Sequence, residues 1–241
     1  MNPAPTVADR DPGPPGLAAR VPWWRRPWIV PLWAVTAIFI VWRVPDYLGF
    51  TPEKSLVALR SHEHYLVMSA HVALGTVALV CCCLQMWPWL RRNRPRAHRI
   101  SGRIYVAAVI PGSLLALATS VQSMVPVPGR IGNVMLSLLW LGTTLVGFRM
   151  ARRRRFAEHR RWMIRSFALC FSIVVNRLWT ALWFAVLMPF YPAVDVAFWM
   201  DVAVASIWSS LLVNVLLAEW WIERTSRPRR PTGPRRDTPV P

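Results

Sequence analysis

Six stretches of the chain are apolar over nearly the full thickness of a lipid bilayer: residues 28–42, 65–87, 104–124, 131–150, 163–188 and 198–222. A helix rising about 1.5 Å per residue needs roughly 20 residues to cross some 30 Å of hydrocarbon. All but the first reach that length. Within lipid every backbone N–H and C=O must be paired inside the segment or around a closed barrel, and none of the stretches has the alternating pattern of barrel strands. The expectation is therefore an all-α integral membrane bundle of six transmembrane helices. Pro31 lies near the start of the first run, where a helix tolerates it. That run is read as a retained span and not a signal peptide, because a long arm precedes it and residues 43–50 offer no small-x-small cleavage site.

Charge is distributed in a way that supports this count. Hydrophobic residues make up 54% of the 241, yet 29 Lys+Arg stand against 11 Asp+Glu. In a soluble domain that excess would point to nucleic acid, but such proteins spread Arg through their elements, and no basic helix or aromatic platform accompanies the tails here. Nucleic acid is not an expected partner. Counting residues at the span mouths, the N-terminal arm, the second and fourth connections and the C-terminal tail hold four, six, eight and six Lys+Arg. The first, third and fifth connections hold three, one and none, and Arg177 alone lies inside a span. Because positive residues stay cytoplasmic, both N and C termini are expected inside, with the chain multi-pass in the inner (cytoplasmic) membrane. Residues 1–27 and 223–241, rich in Pro, Gly and Arg, read as disordered tails whose charge attracts anionic lipid at the cytoplasmic face. Trp28, Trp33, Trp42, Trp87, Trp89, Trp220 and Trp221 fall at span ends and read as interfacial anchors.

The second and fourth connections resemble each other. LRRNRPRAHRISGRIY (Leu90 to Tyr105) and ARRRRFAEHRRWMIRS (Ala151 to Ser166) share an ordered set: Arg92, His98, Arg99 and Arg103 in one, Arg153, His159, Arg160 and Arg165 in the other. This suggests two related helical hairpins, with spans two and three matching spans four and five, a construction that places polar sites between repeats. HVALG (His71 to Gly75), Gln85, AHRISGRIY (Ala97 to Tyr105), EHRRWMIRSFAL (Glu158 to Leu169) and Arg177 together resemble the bacterial membrane protein family known as domain of unknown function 2306, over residues 64 to 180. The run Cys81 to Cys83 stands where that pattern leads one to expect a glycine shortly before Gln85. The resemblance implies a multi-pass helical membrane protein and brings no activity with it.

Ionisable groups inside a span are costly, so His71, Arg177, Asp201 and Glu219 are candidates by position. His71 and Arg177 lie at depths of about 9 and 16 Å from the outer ends of their spans at ~1.5 Å per residue. An outward-opening pocket of His71, Asn176 and Arg177 follows as a candidate small-molecule site, with Arg177 suited to a carboxylate or a haem propionate. The competing reading makes Arg177 interhelical glue. His98 and His159 enter at matching depth and could ligate a haem b axially, with Arg99, Arg103 and Arg160 holding propionates. The competing reading gives these His-Arg pairs to lipid phosphates. A second haem at His71 would need Met124, Met200, His62 or His64 as its other ligand.

No metal site is expected. His64 and His71 are about 10 Å apart along a helix, and consecutive cysteines point about 100° apart, so Cys81, Cys82 and Cys83 cannot close on one ion. Those three and Cys170 read as small packing residues. The sequence lacks HExxH, GxSxG and Walker-type motifs. Three functions stay open: a haem-binding membrane electron-transfer protein, a small-molecule transporter or binding protein, and a structural or lipid-interacting protein. Whether the chain is an enzyme also stays open.

Overall fold

A computed structural model describes residues 28–48 and 61–226. Its helices are α1 (Ile29–Arg43), α2 (Pro45–Leu48), α3 (His62–Met86), α4 (Pro88–Asn93), α5 (Pro95–Gln122), α6 (Val127–Arg152), α7 (Phe156–Leu187) and α8 (Val196–Ser226), with a 3-10 turn at Met188–Phe190. Among the described residues there is no strand, and six helical segments are long and apolar enough to cross a membrane.

Local chemistry sets the helix ends. Ser61 caps α3 by accepting the His64 N–H at 3.2 Å, and Asp195 accepts the Phe198 N–H at 2.9 Å at the start of α8. Pro88 and Pro95 open α4 and α5, where the missing N–H of proline costs nothing. The α6–α7 turn closes with two backbone bonds, Arg155 N–H to Met150 O and Arg154 N–H to Ala151 O, each 3.0 Å. That is the Schellman arrangement, and it places Arg154 at φ 59°, a position glycine normally fills.

The helices are longer than the apolar runs. α5 begins at Pro95 and α7 at Phe156, so His98, Arg99, Arg103, His159 and Arg160 lie within the opening turns of helices, Arg103 in the third, and not in loops. Counting apolar residues finds only the lipid-length part of a helix, whereas Arg, Ala and Glu continue it readily into the interface. Likewise α8 runs to Ser226, past the expected start of the tail at 223. The arm 1–27 and the rest of the tail, 227–241, lie outside the described residues.

α3, α5, α6 and α7 form a ring in which α3 packs on α5, α5 on α6, α6 on α7, and α7 returns to α3. α8 covers α6 and α7, while α1 leans on α3 and touches α7. α4, the start of α5, the α6–α7 turn and the end of α8 share one end of the bundle, hereafter the basic end. The core joins Ala78, Leu79, Cys81, Cys82, Tyr105, Val109, Trp140, Leu169, Cys170 and Leu211. The outer surface is apolar too: Ile38, Val41, Leu114, Leu178 and Leu216 are all exposed, as suits a lipid-facing surface and not a watery one. Without a hydrophobic force between helices in lipid, close packing holds them, and small residues permit it. A Cβ on Gly132 would lie 2.8 Å from Ile207 Cγ2 of α8. The four cysteines are free and buried, and Cys83 Sγ lies 3.4 Å from Thr36 Oγ1 of α1.

At the centre a polar cluster spans three helices. The Tyr105 hydroxyl lies 2.6 Å from Ser166 Oγ and accepts Trp140 Nε1–H at 3.1 Å, while Thr144 Oγ1 lies 2.7 Å from the same Ser166 oxygen. Tyr105 and Ser166 are 61 positions apart, the interval that also separates His98 from His159. α5 and α7 occupy opposite corners of the ring.

Candidate functional site

Two histidines are fixed by the same device. His159 on α7 places Nδ1 2.8 Å from the carbonyl of Gly147 on α6, and His71 on α3 places Nδ1 2.8 Å from the carbonyl of Gly112 on α5. A carbonyl can only accept, so each ring donates through Nδ1–H, and its neutral form keeps the lone pair on Nε2. Gly147 is where α6 and α7 approach closely: a Cβ there would lie 2.8 Å from Met163 Sδ and 3.4 Å from Trp162 Cβ. Gly112 directly follows Pro111, which lies inside α5. The sequence reading passed over both acceptors, since a backbone carbonyl leaves no mark in residue type; the glycines were the only available signal.

His98 lies across the ring from His159, within range of its charge. Its Nδ1 is buried without a hydrogen-bond partner, while its backbone carbonyl accepts Gln85 Nε2–H at 2.7 Å. The same Gln85 amide donates to Ser101 Oγ at 2.7 Å and lies against Gly102. Gln85, singled out in the sequence beside the His-Arg motifs, thus staples α3 to the first turns of α5.

The arginines around these rings divide. Arg99 and Arg103 are exposed on α5. Arg160 instead lines a groove of about 190 Å³ with Ala157, Arg161, Ile164, Ile222 and Thr225, between α7 and α8. Arg165 donates through two nitrogens to Glu219 of α8, at 2.5 and 2.9 Å, and its guanidinium stacks over Trp162. Glu219, a candidate from its depth, is therefore half of a bidentate ion pair.

Toward the opposite end, the structure ties His71 to α5 and gives Arg177 other company. Arg177 on α7 lies within charge range of Arg43 and Tyr47, and its Nε is buried without a partner. Asn176 accepts Thr180 Oγ1–H through its backbone oxygen at 2.9 Å. Arg43 was counted with the first connection because the apolar run stops at Trp42. In the fold it ends α1, buried, with Nη1 3.1 Å from Asp46 Oδ2. Asp201 accepts the Tyr191 hydroxyl at the mouth of α8. Among the described residues no group of three or more His, Cys, Asp or Glu is arranged to hold a metal ion.

No curated protein and no solved structure matches the chain. The profile described as "Predicted membrane protein (DUF2306)" matches residues 68–222, reaching past the expected limit at 180 to take in α8. Six apolar helices and a match over more than half its length lead to one conclusion: the chain is a membrane protein of the DUF2306 family.

Proposed function

We propose that the chain is a multi-pass protein of the inner membrane, with both termini cytoplasmic, that binds haem b at its basic end through His98 and His159 and serves membrane electron transfer. The orientation rests on the crowding of Arg at one end of the bundle. One observation carries the haem reading. An imidazole locked through Nδ1–H on a carbonyl stands across the ring from a second imidazole whose buried Nδ1 meets no partner. Metal-bound histidines ordinarily donate their other N–H to a carbonyl or carboxylate, which fixes tautomer and ring plane, and His159 already has that support. A buried nitrogen without a partner costs about 1–3 kcal/mol, so His98 gains from a ligand.

Haem supplies a one-electron carrier when bound. The chain's own part is to hold and insulate it. Gly147 sets the His159 tautomer, Gln85 and Ser101 steady the turn that carries His98, and the Tyr105–Ser166 contact keeps α5 and α7 at a set separation. Exposed Arg99 and Arg103 suit propionates or lipid phosphates, while Arg160, in its groove with Arg161 and Ile222, suits a lipid phosphate better. His71 belongs to neither role, because fifteen residues separate it from the α3 end at Met86, a rise of about 22 Å.

The test is an absorption spectrum of the full chain purified from cells supplied with haem precursor. A Soret band should appear, sharpen on reduction, and vanish in His98→Ala and His159→Ala while His71→Ala keeps it. A colourless wild-type protein would overturn the reading.

A further inference from the structure

Arg43 ends α1 and Arg177 lies on α7, and the two come within charge range of one another away from the basic end, where α1 touches α7. Arg43 is 6% exposed, and Arg177 lies ten residues before the end of α7 at Leu187, a depth of about 15 Å. α2 closes over them: Asp46 pairs with Arg43, and the Tyr47 carbonyl accepts the Tyr65 hydroxyl at 3.4 Å.

Among the described residues the charges in this corner do not balance. Arg43 has one carboxylate, that of Asp46, and the buried Arg177 Nε has no acceptor. Arg does not lose its proton in a protein, so neutralisation is not a way out. A buried cation without a partner is costly, and a like charge alongside raises the cost.

We infer that Arg43 and Arg177 form a binding site for an oxyanion, a phosphate or carboxylate group entering from the end of the bundle opposite the basic loops. Guanidinium forks match such groups in geometry as well as charge, and two forks from different helices hold the anion from two sides. The bound group brings α1 and α7 together, whether it belongs to a lipid headgroup or to a soluble anion. The site is separate from the histidines of the basic end, and its test does not involve haem.

The experiment is thermal unfolding of the full purified chain in detergent. One arm compares inorganic phosphate with chloride at equal ionic strength. The other compares mixed micelles containing phosphatidylglycerol with micelles containing phosphatidylcholine. At least one anion should raise the midpoint by several degrees, and Arg177→Gln should weaken its apparent affinity tenfold or more. Arg92→Gln, an exposed change at the basic end, should leave the affinity as it was. If Arg177→Gln does not fold, Arg43→Gln and Arg177→Lys carry the same comparison, since each disturbs a fork. Stabilisation by phosphate assigns the site to soluble anions; stabilisation by phosphatidylglycerol alone assigns it to lipid. Equal shifts in wild type and the Arg177 and Arg43 variants would overturn the proposal, as would no shift with either anion.

Discussion

Replacing Tyr105 by Phe removes one oxygen from the centre of the bundle and nothing else. That oxygen accepts Trp140 Nε1–H at 3.1 Å and lies 2.6 Å from Ser166 Oγ. Ser166 keeps Thr144 at 2.7 Å, but the Trp140 N–H is left buried with no acceptor on a ring only 7% exposed. An orphaned buried donor costs about 1–3 kcal/mol in water-soluble proteins, whereas side-chain hydrogen bonds in membrane proteins average about 0.6 and reach about 1.7 kcal/mol. Because the packed ring of Trp140 cannot turn toward another partner, the upper part of the membrane range applies, and Tyr105→Phe should cost about 1–2 kcal/mol. The reason can be separated from the size by adding Trp140→Phe. Once the donor is gone, deleting the Tyr105 hydroxyl orphans no buried N–H and loses only the Ser166 contact, so the double variant should fall short of additivity by about 1 kcal/mol. Reversible unfolding by dodecyl sulfate in mixed micelles, followed by circular dichroism, measures both. A loss below about 0.3 kcal/mol for Tyr105→Phe, or strict additivity in the cycle, would refute the claim that this cluster holds the bundle together.

Three further outcomes are expected. Arg154→Gly should stabilise the chain by about 0.5–1 kcal/mol in the same assay, since a left-handed backbone costs an L-residue about 1–2 kcal/mol and glycine gives part of that back as unfolded-chain entropy. The hydrogen bond to Asp201, with the carboxylate's charge, raises the Tyr191 hydroxyl above the usual tyrosine range. The contact is complete below about pH 10 and is lost as pH climbs through the raised value, so tyrosinate absorbance of Asp201→Asn should show one more tyrosine ionising near pH 10 than wild type does. Reporter fusions after Asn93 and Val125 should report the cytoplasm and the far side respectively, and the same answer from both would discard the proposed orientation.

The helical architecture was legible because it depends on composition along the chain, and the family resemblance because its motif residues stand in order in the sequence. The cost of an unpaired backbone group in hydrocarbon acts on each span separately, so six long apolar runs were enough to specify six helices. The likeness of the two His-Arg sets was legible in the same one-dimensional way, whereas the Tyr105–Ser166 contact between the helices that follow them was not.

Which polar groups meet was a different matter, settled only by how each helix is rotated about its axis and which neighbour it leans on. His71 and Arg177 both lie in the outer half of their spans, within reach of one another for long side chains, which made them natural partners on paper. The fold turns His71 to the Gly112 carbonyl and brings Arg43, more than 130 residues before Arg177 in the chain, within charge range of Arg177. A lipid-facing helix carries apolar residues around most of its circumference, so its hydrophobic pattern says little about its rotation. Close-approach glycines, backbone acceptors and a handful of buried hydroxyls supply that information, and they act only once the helices have come together.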